Sequence, residues 1–310
     1  TPEELRLWSE YSRSTSKFDN AFEDGKLVQD DAKTLNACYF ELGADIDMPV
    51  GGMTGVTDGN YGTTDAKYQA RHGFNHNDDF LPICGLTTLD NYDYEHTFRG
   101  QFDGKGHTIK NLNATSKQNY FGVFGIISTD ALVENFDIYG TYHTTYQYAG
   151  SVAAYARDER PTIRNVHSYV NIYNTYAGGR QGGILGGALT TTYKTVIENC
   201  TYSGTLDGNG ATALCAADGS TATVSGGTVK TEGSNYCAAY SKGAGTLNVT
   251  GGEVSSDAGA IAATANSAVN VSGGTVTAGG GNYAVVAHEG NATATISGGT
   301  INGNVEAGST

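Results

Sequence analysis

A carboxylate, an imidazole and a crowd of tyrosines fall close together in the middle of this sequence. Asp137 and His167 each stand two residues after an asparagine, in the similar segments Val133-Glu134-Asn135-Phe136 and Ile163-Arg164-Asn165-Val166. If these segments are successive coils of one repeating fold, the two side chains sit on neighbouring strands about 5 Å apart in backbone. Tyr139 and Tyr169 then lie alongside, and Arg157-Asp158-Glu159-Arg160 borders them. A carboxylate, a His and Arg residues suffice on paper for acid–base attack on a glycan, which makes Asp137, His167, Asp158 and Glu159 the catalytic candidates. The same stretch is a candidate binding surface, because eleven of the 20 tyrosines lie in residues 101–210. Exposed Tyr rings stack on sugar C–H faces while their hydroxyls bond sugar hydroxyls. Tyr139, Tyr142, Tyr146, Tyr169 and Tyr173, with Arg160, are the ligand-binding candidates. A plainer alternative is that any solenoid face shows polar residues and that Tyr rings only brace adjacent coils. That alternative suits Tyr120, Tyr148 and Tyr176, which stand 28 residues apart.

Metal chemistry has thinner support. His72, His76, Asp78 and Asp79 have a ligand-like spacing, but in a polar stretch with no helix to align the imidazoles. Asp45, Asp47 and Asp103 offer oxygen ligands for Ca²⁺, without an EF-hand-type loop. No metal site is assigned, and no cofactor beyond optional Ca²⁺ is expected. Walker, Rossmann, nucleophile-elbow and zinc-finger patterns are missing. Cys38, Cys84, Cys200, Cys215 and Cys237 make an odd count without a CxxC pair. Cys215 and Cys237, near one coil period apart, are the pair closest to disulfide range, and core filling is the alternative.

The elements that position these residues follow from a repeat. Val224-Ser225-Gly226-Gly227-Thr228-Val229 recurs as Val249–Val254, Val271–Val276 and Ile296–Ile301, with first glycines 25, 22 and 25 residues apart. Val and Ile suit strands, and the glycine pair suits a sharp corner. A period of 22–25 residues fits one coil of a parallel β-helix, which buries its apolar face only by stacking on the next coil. Parallel crossovers are overwhelmingly right-handed. The expected fold is therefore all-β, a single right-handed parallel β-helix with a short N-terminal α-helical cap. The cap is placed at residues 1–25, from the Thr1-Pro2-Glu3-Glu4 start and an amphipathic turn at Phe18, Ala21 and Phe22. Coils of one register follow over 26–210, with a long polar loop at 49–79, and the Ser-Gly-Gly-Thr coils fill 211–310. In the middle register Asn111, Asn135, Asn165 and Asn199 align as a buried ladder, with Lys110, Glu134, Arg164 and Glu198 facing solvent. One continuous domain is expected.

Composition bounds the partners. The 310 residues include 44 Gly and only 4 Pro, and the formal net charge is −14. Such a surface repels phosphate backbones, so nucleic acid is not an expected partner. No stretch of 18 apolar residues is present to span a bilayer. The residues include no signal peptide, and a mature or trimmed piece of a longer chain is expected, as a monomer or part of a multidomain protein.

Phe98-Arg99-Gly100-Gln101-Phe102-Asp103-Gly104-Lys105-Gly106-His107-Thr108-Ile109-Lys110-Asn111-Leu112 resembles the FxGxFDGxGHTIxNL segment of bacterial surface proteins with GLUG-type repeats. Tyr120–Gly125 and Gly182–Gly187 are similar to their YFGxFG and GGIxGG elements, and Ala44–Met48 and Leu81–Ile83 to upstream segments. The resemblance covers residues 1–205 and implies a right-handed β-helix in a secreted or cell-wall-attached adhesin, often of a gut bacterium. Residues 220–305 are similar to repeats of extracellular carbohydrate-binding β-helices. Such modules also flank IgA-cleaving metalloproteases, but no HExxH is present here. The expected function is glycan binding or adhesion on the tyrosine-rich coils. A polysaccharide lyase or glycosidase, and an inert stalk, are the alternatives.

Overall fold

The computed structural model describes residues 1–12, 22–23, 26–27, 36–48, 80–84, 97–116, 120–144, 147–176, 180–189, 195–207, 213–217, 219, 221–231 and 237–308. It is a parallel β-helix. One twelve-stranded sheet runs from Tyr39–Glu41 through the long strands Gln101–Ser116, Leu132–Thr144 and Thr162–Asn174. It continues through Thr205–Asp207, Thr228–Thr231, Glu253–Ser256 and Thr275–Ala278 to Thr300–Asn302. Every pairing in it is parallel. The other walls are shorter parallel sheets of three strands each in the first half, and of five and four strands in the second.

The interior follows from the period-two alternation of side chains along each strand. Tyr142, Ile172, Leu206, Val229, Val254, Val276 and Ile301 are in register on successive coils. All but Ile301 are essentially buried. Val224, Val249, Val271 and Ile296 form a second column on the adjoining wall. Each Ser-Gly-Gly-Thr corner joins these two walls, as its sequence predicts. Its second glycine holds a left-handed backbone, φ from 69° to 86°.

The N-terminal reading needs correction. The helix is Pro2–Ser12 alone. It lays Trp8 on Phe40 at 4.0 Å between ring centroids, and Ser9 Oγ donates to the Leu81 carbonyl. Phe22–Glu23 is not a helical turn; it pairs antiparallel with Lys26–Leu27. The loop at 49–79, with His72, His76, Asp78 and Asp79, lies outside the described residues. Cys215 is in register with Tyr240, so Cys237 does not stack on it.

The asparagine ladder exists, but shifted and at the surface. Asn199 Nδ2 donates to Asn165, Asn165 to Asn135, and Asn135 to Asp103. Asn111 instead donates to Asp47, because two register shifts between Asp103 and Leu112 displace it. Asn165 and Asn199 are exposed rather than buried. Asn is favoured because the corner is left-handed: φ is 62° at Asn135, 52° at Asn165 and 51° at Asn199. Asn165→Ala should cost roughly 1–2 kcal/mol, from φ strain and two lost amide bonds. Asn165→Gly keeps the φ freedom and should cost less. Chemical-unfolding midpoints would compare them, and an Ala variant as stable as the Gly variant would refute the ladder's role.

Candidate functional site

Beyond the Asn corner, the strands Leu132–Thr144 and Thr162–Asn174 pair without interruption from Phe136/Val166 to Thr144/Asn174. Their outward positions form one face. His167 Nδ1 lies 3.0 Å from Asp137 Oδ1. Tyr139 and Tyr169 stack with centroids 4.5 Å apart and planes at 8°. His143 and Tyr173 stack likewise, at 4.9 Å and 11°. Three pairs, each offset by one coil, thus line up along two strands. Stacking follows from geometry, since parallel strands in register place identical positions ~4.8 Å apart, close to an aromatic contact distance.

Tyr139 and Tyr169 are 38% and 40% exposed, so the stack reaches solvent. Each ring covers one face of the other. The pair therefore offers its hydroxyl edges and two outer ring faces, rather than a row of open faces. Partial desolvation, with Tyr169 and Asp137 beside it, pushes the Tyr139 hydroxyl above its ordinary pKa. It stays protonated, with the Tyr169 side chain as a hydrogen-bond partner.

The structure does not bring every candidate here. Tyr142 is fully buried and packs on Phe121, and its hydroxyl donates to the Ser151 carbonyl at 3.1 Å. It is a core residue, not a ligand contact. Tyr146 lies outside the described residues. The segment Arg157–Arg160 does not border the Asp137–His167 pair: Pro161 to Val166 intervenes, including the Asn165 corner. Asp158 instead accepts from Ser128 Oγ at 2.8 Å, and the Glu159 carbonyl accepts from the Asp130 amide. Arg160, at φ 50°, is exposed on that separate corner. Tyr120 stacks on Tyr148 at 5.2 Å, but Arg180 rather than Tyr176 follows them in register and donates to the Tyr148 hydroxyl.

Two features escaped the sequence reading. His143 joins the face, and its signal was the constant offset of 30 residues that also separates Asp137 from His167 and Tyr139 from Tyr169. A second imidazole–carboxylate pair, His107 and Asp45 at 3.1 Å, sits on the two coils before that of Asp137. The Thr108 amide, then His107, holds the Asp45 carboxyl below its usual range. Among the described residues no three His, Cys, Asp or Glu side chains converge on a metal-sized point. Asp45, Asp47 and Asp103 each accept protein donors instead.

No family model matches the chain, and no curated protein matches it. Among solved structures it is similar to a protein from Bacteroides ovatus described as a candidate immunoglobulin A1 protease. The identity is 17%, over 87% of this chain and 78% of that one, with a TM-score of 0.37. No helix among the described residues is long and apolar enough to cross a membrane.

Proposed function

We propose that this chain is a glycan-binding or adhesion module of a secreted or cell-surface protein, and that the face carrying Asp137–His167, Tyr139–Tyr169 and His143–Tyr173 is its binding site. The observation that carries this is the solvent-exposed Tyr139–Tyr169 stack, set between two imidazole-bearing pairs on one sheet face. Aromatic edges beside hydroxyls, imidazoles and a carboxylate are the groups that hydrogen-bond sugar hydroxyls while covering apolar C–H surface. A rigid sheet also holds them preorganised, which lowers the entropic cost of binding.

Catalysis fits less well. A glycosidase needs two carboxyl groups about 5–9.5 Å apart across one bond; Asp137 has Thr108 and His167 in register on its two sides, and the carboxylate one coil beyond Thr108, Asp45, is already bound to the Thr108 amide and paired with His107. A purely supporting role suits the Ser-Gly-Gly-Thr coils, where outward positions are mostly Thr, Ser and Asn.

A glycan array comparing wild type with the Tyr139→Ala/Tyr169→Ala double variant tests the site. At least one glycan should bind wild type, and the double variant should lose about ten-fold or more, ~1.4 kcal/mol. Equal binding by both, or none by either, would remove the site. Product release from a polysaccharide would move the protein to the enzymes.

A further inference from the structure

Resting on that reading of the site, the order of its pairs along the strands defines the ligand further. We infer that the ligand is a neutral oligosaccharide of several units, lying parallel to the strands across two coils. It is neither a single terminal sugar nor an acidic glycan.

Length comes first. The outward pairs run Asp137/His167, Tyr139/Tyr169, Thr141/Asn171 and His143/Tyr173, all in unbroken register. Six residues of extended chain separate the first pair from the last, about 20 Å at ~3.3 Å per residue. That distance spans several sugar rings and far exceeds one. The Asn171 amide oxygen already accepts from the Thr205 amide at 2.8 Å, which fixes that side chain and leaves its Nδ2 to donate. Fixed polar groups along the whole row are those of a subsite series, and a single-sugar site would concentrate them at one end.

Charge comes second. Beyond the Asn corner, the carboxylates on these rows and the next coil are Asp137 and Asp207. Each faces a partner on an adjacent coil: Asp137 meets His167 at 3.0 Å, and Asp207 meets Lys230 Nζ at 2.8 Å. None of the eight outward positions from Asp137/His167 to His143/Tyr173 is an Arg or Lys, the side chains that meet a uronate or sialate carboxylate; the exposed Lys110 lies on the preceding coil, beside the row and not in it. Hydroxyl, imidazole and amide groups remain, and these match neutral sugars.

The test is an affinity series by calorimetry, using β-1,4-linked gluco-, manno- and xylo-oligosaccharides and α-1,4-linked gluco-oligosaccharides of two to six units. Matching oligogalacturonides are run beside them, on wild type and on His143→Ala. Affinity for at least one neutral series should rise about ten-fold or more between two and four units and then level off. His143→Ala, at the exposed far end of the row, should bring the tetrasaccharide's affinity down toward the disaccharide's. Tight binding with no length dependence, tighter binding of the galacturonides, or a His143→Ala variant that keeps the full gain would overturn this inference and leave the binding face standing. Binding of no oligosaccharide by wild type would overturn both.

Discussion

Tyr142→Ala is expected to destabilise the protein by roughly 3–5 kcal/mol, the range for truncating a large buried aromatic side chain. The ring is fully buried, in edge contact with Phe121 at 4.8 Å, and it begins the aliphatic column that runs on through Ile172 and Leu206. Removing it opens a cavity where the walls of two coils meet, and a parallel solenoid cannot close such a gap without breaking its backbone ladder. Tyr142→Phe keeps the ring and deletes only the bond to the Ser151 carbonyl, so about 1 kcal/mol is expected. Burial raises the Tyr142 hydroxyl's pKa, so it remains a donor through ordinary pH and the Phe difference should not vary there. Denaturant unfolding of the two variants measures these values. The pair also separates core from site, because Tyr142→Phe should bind glycan like wild type while Tyr139→Ala/Tyr169→Ala should not. A Tyr142→Phe variant that folds normally but loses binding would return Tyr142 to the ligand surface.

The parity of positions explains why Tyr142 was misplaced. On a strand, Asp137 and Tyr139 share a face, and a residue three further on must point the other way. Composition drew attention to tyrosines as a class, whereas the alternation sorts them. The same alternation selects His143, which composition hid. Coil architecture was legible because Ser-Gly-Gly-Thr marks, coil after coil, a corner where two walls meet at a left-handed residue. Less regular coils were harder to align. Tyr148 to Arg180 is 32 residues where Tyr120 to Tyr148 is 28, so a constant spacing pointed to Tyr176 in error. Asn111 shares the motif of its successors but lies within the second of two register shifts, the first of which holds Lys105 and Gly106 with positive φ. Asp158 and Glu159 looked close to His167 along the chain, yet the Asn165 corner lies between them. Local spacing describes neighbours within a coil well; contacts between coils depend on coil length, which insertions change.

Gly274→Ala should cost clearly more than Gly281→Ala, although both glycines hold nearly the same backbone, φ 74° and 77°. A Cβ at either position carries the strain of a left-handed alanine, about 1 kcal/mol or somewhat more. At Gly281 that is the whole effect, since nothing lies within 4 Å of the added methyl. At Gly274 the methyl would stand 2.7 Å from the Gly251 carbonyl oxygen and 2.8 Å from the Gly252 oxygen, both backbone atoms of the preceding coil. Those atoms cannot rotate away, because the Thr275 amide donates to the Gly252 carbonyl and the next strand pair begins there. The corner must therefore separate, and roughly 2–4 kcal/mol is expected in total. Since each coil touches only its neighbours, the loss should stay local. Hydrogen exchange would then quicken around Val249–Val254 and Val271–Val276, while the Asp137–Tyr173 face keeps its protection and its binding. Equal costs for the two variants would mean that the glycine pair is needed only for its φ, and that close stacking of the corners contributes nothing to the solenoid's stability.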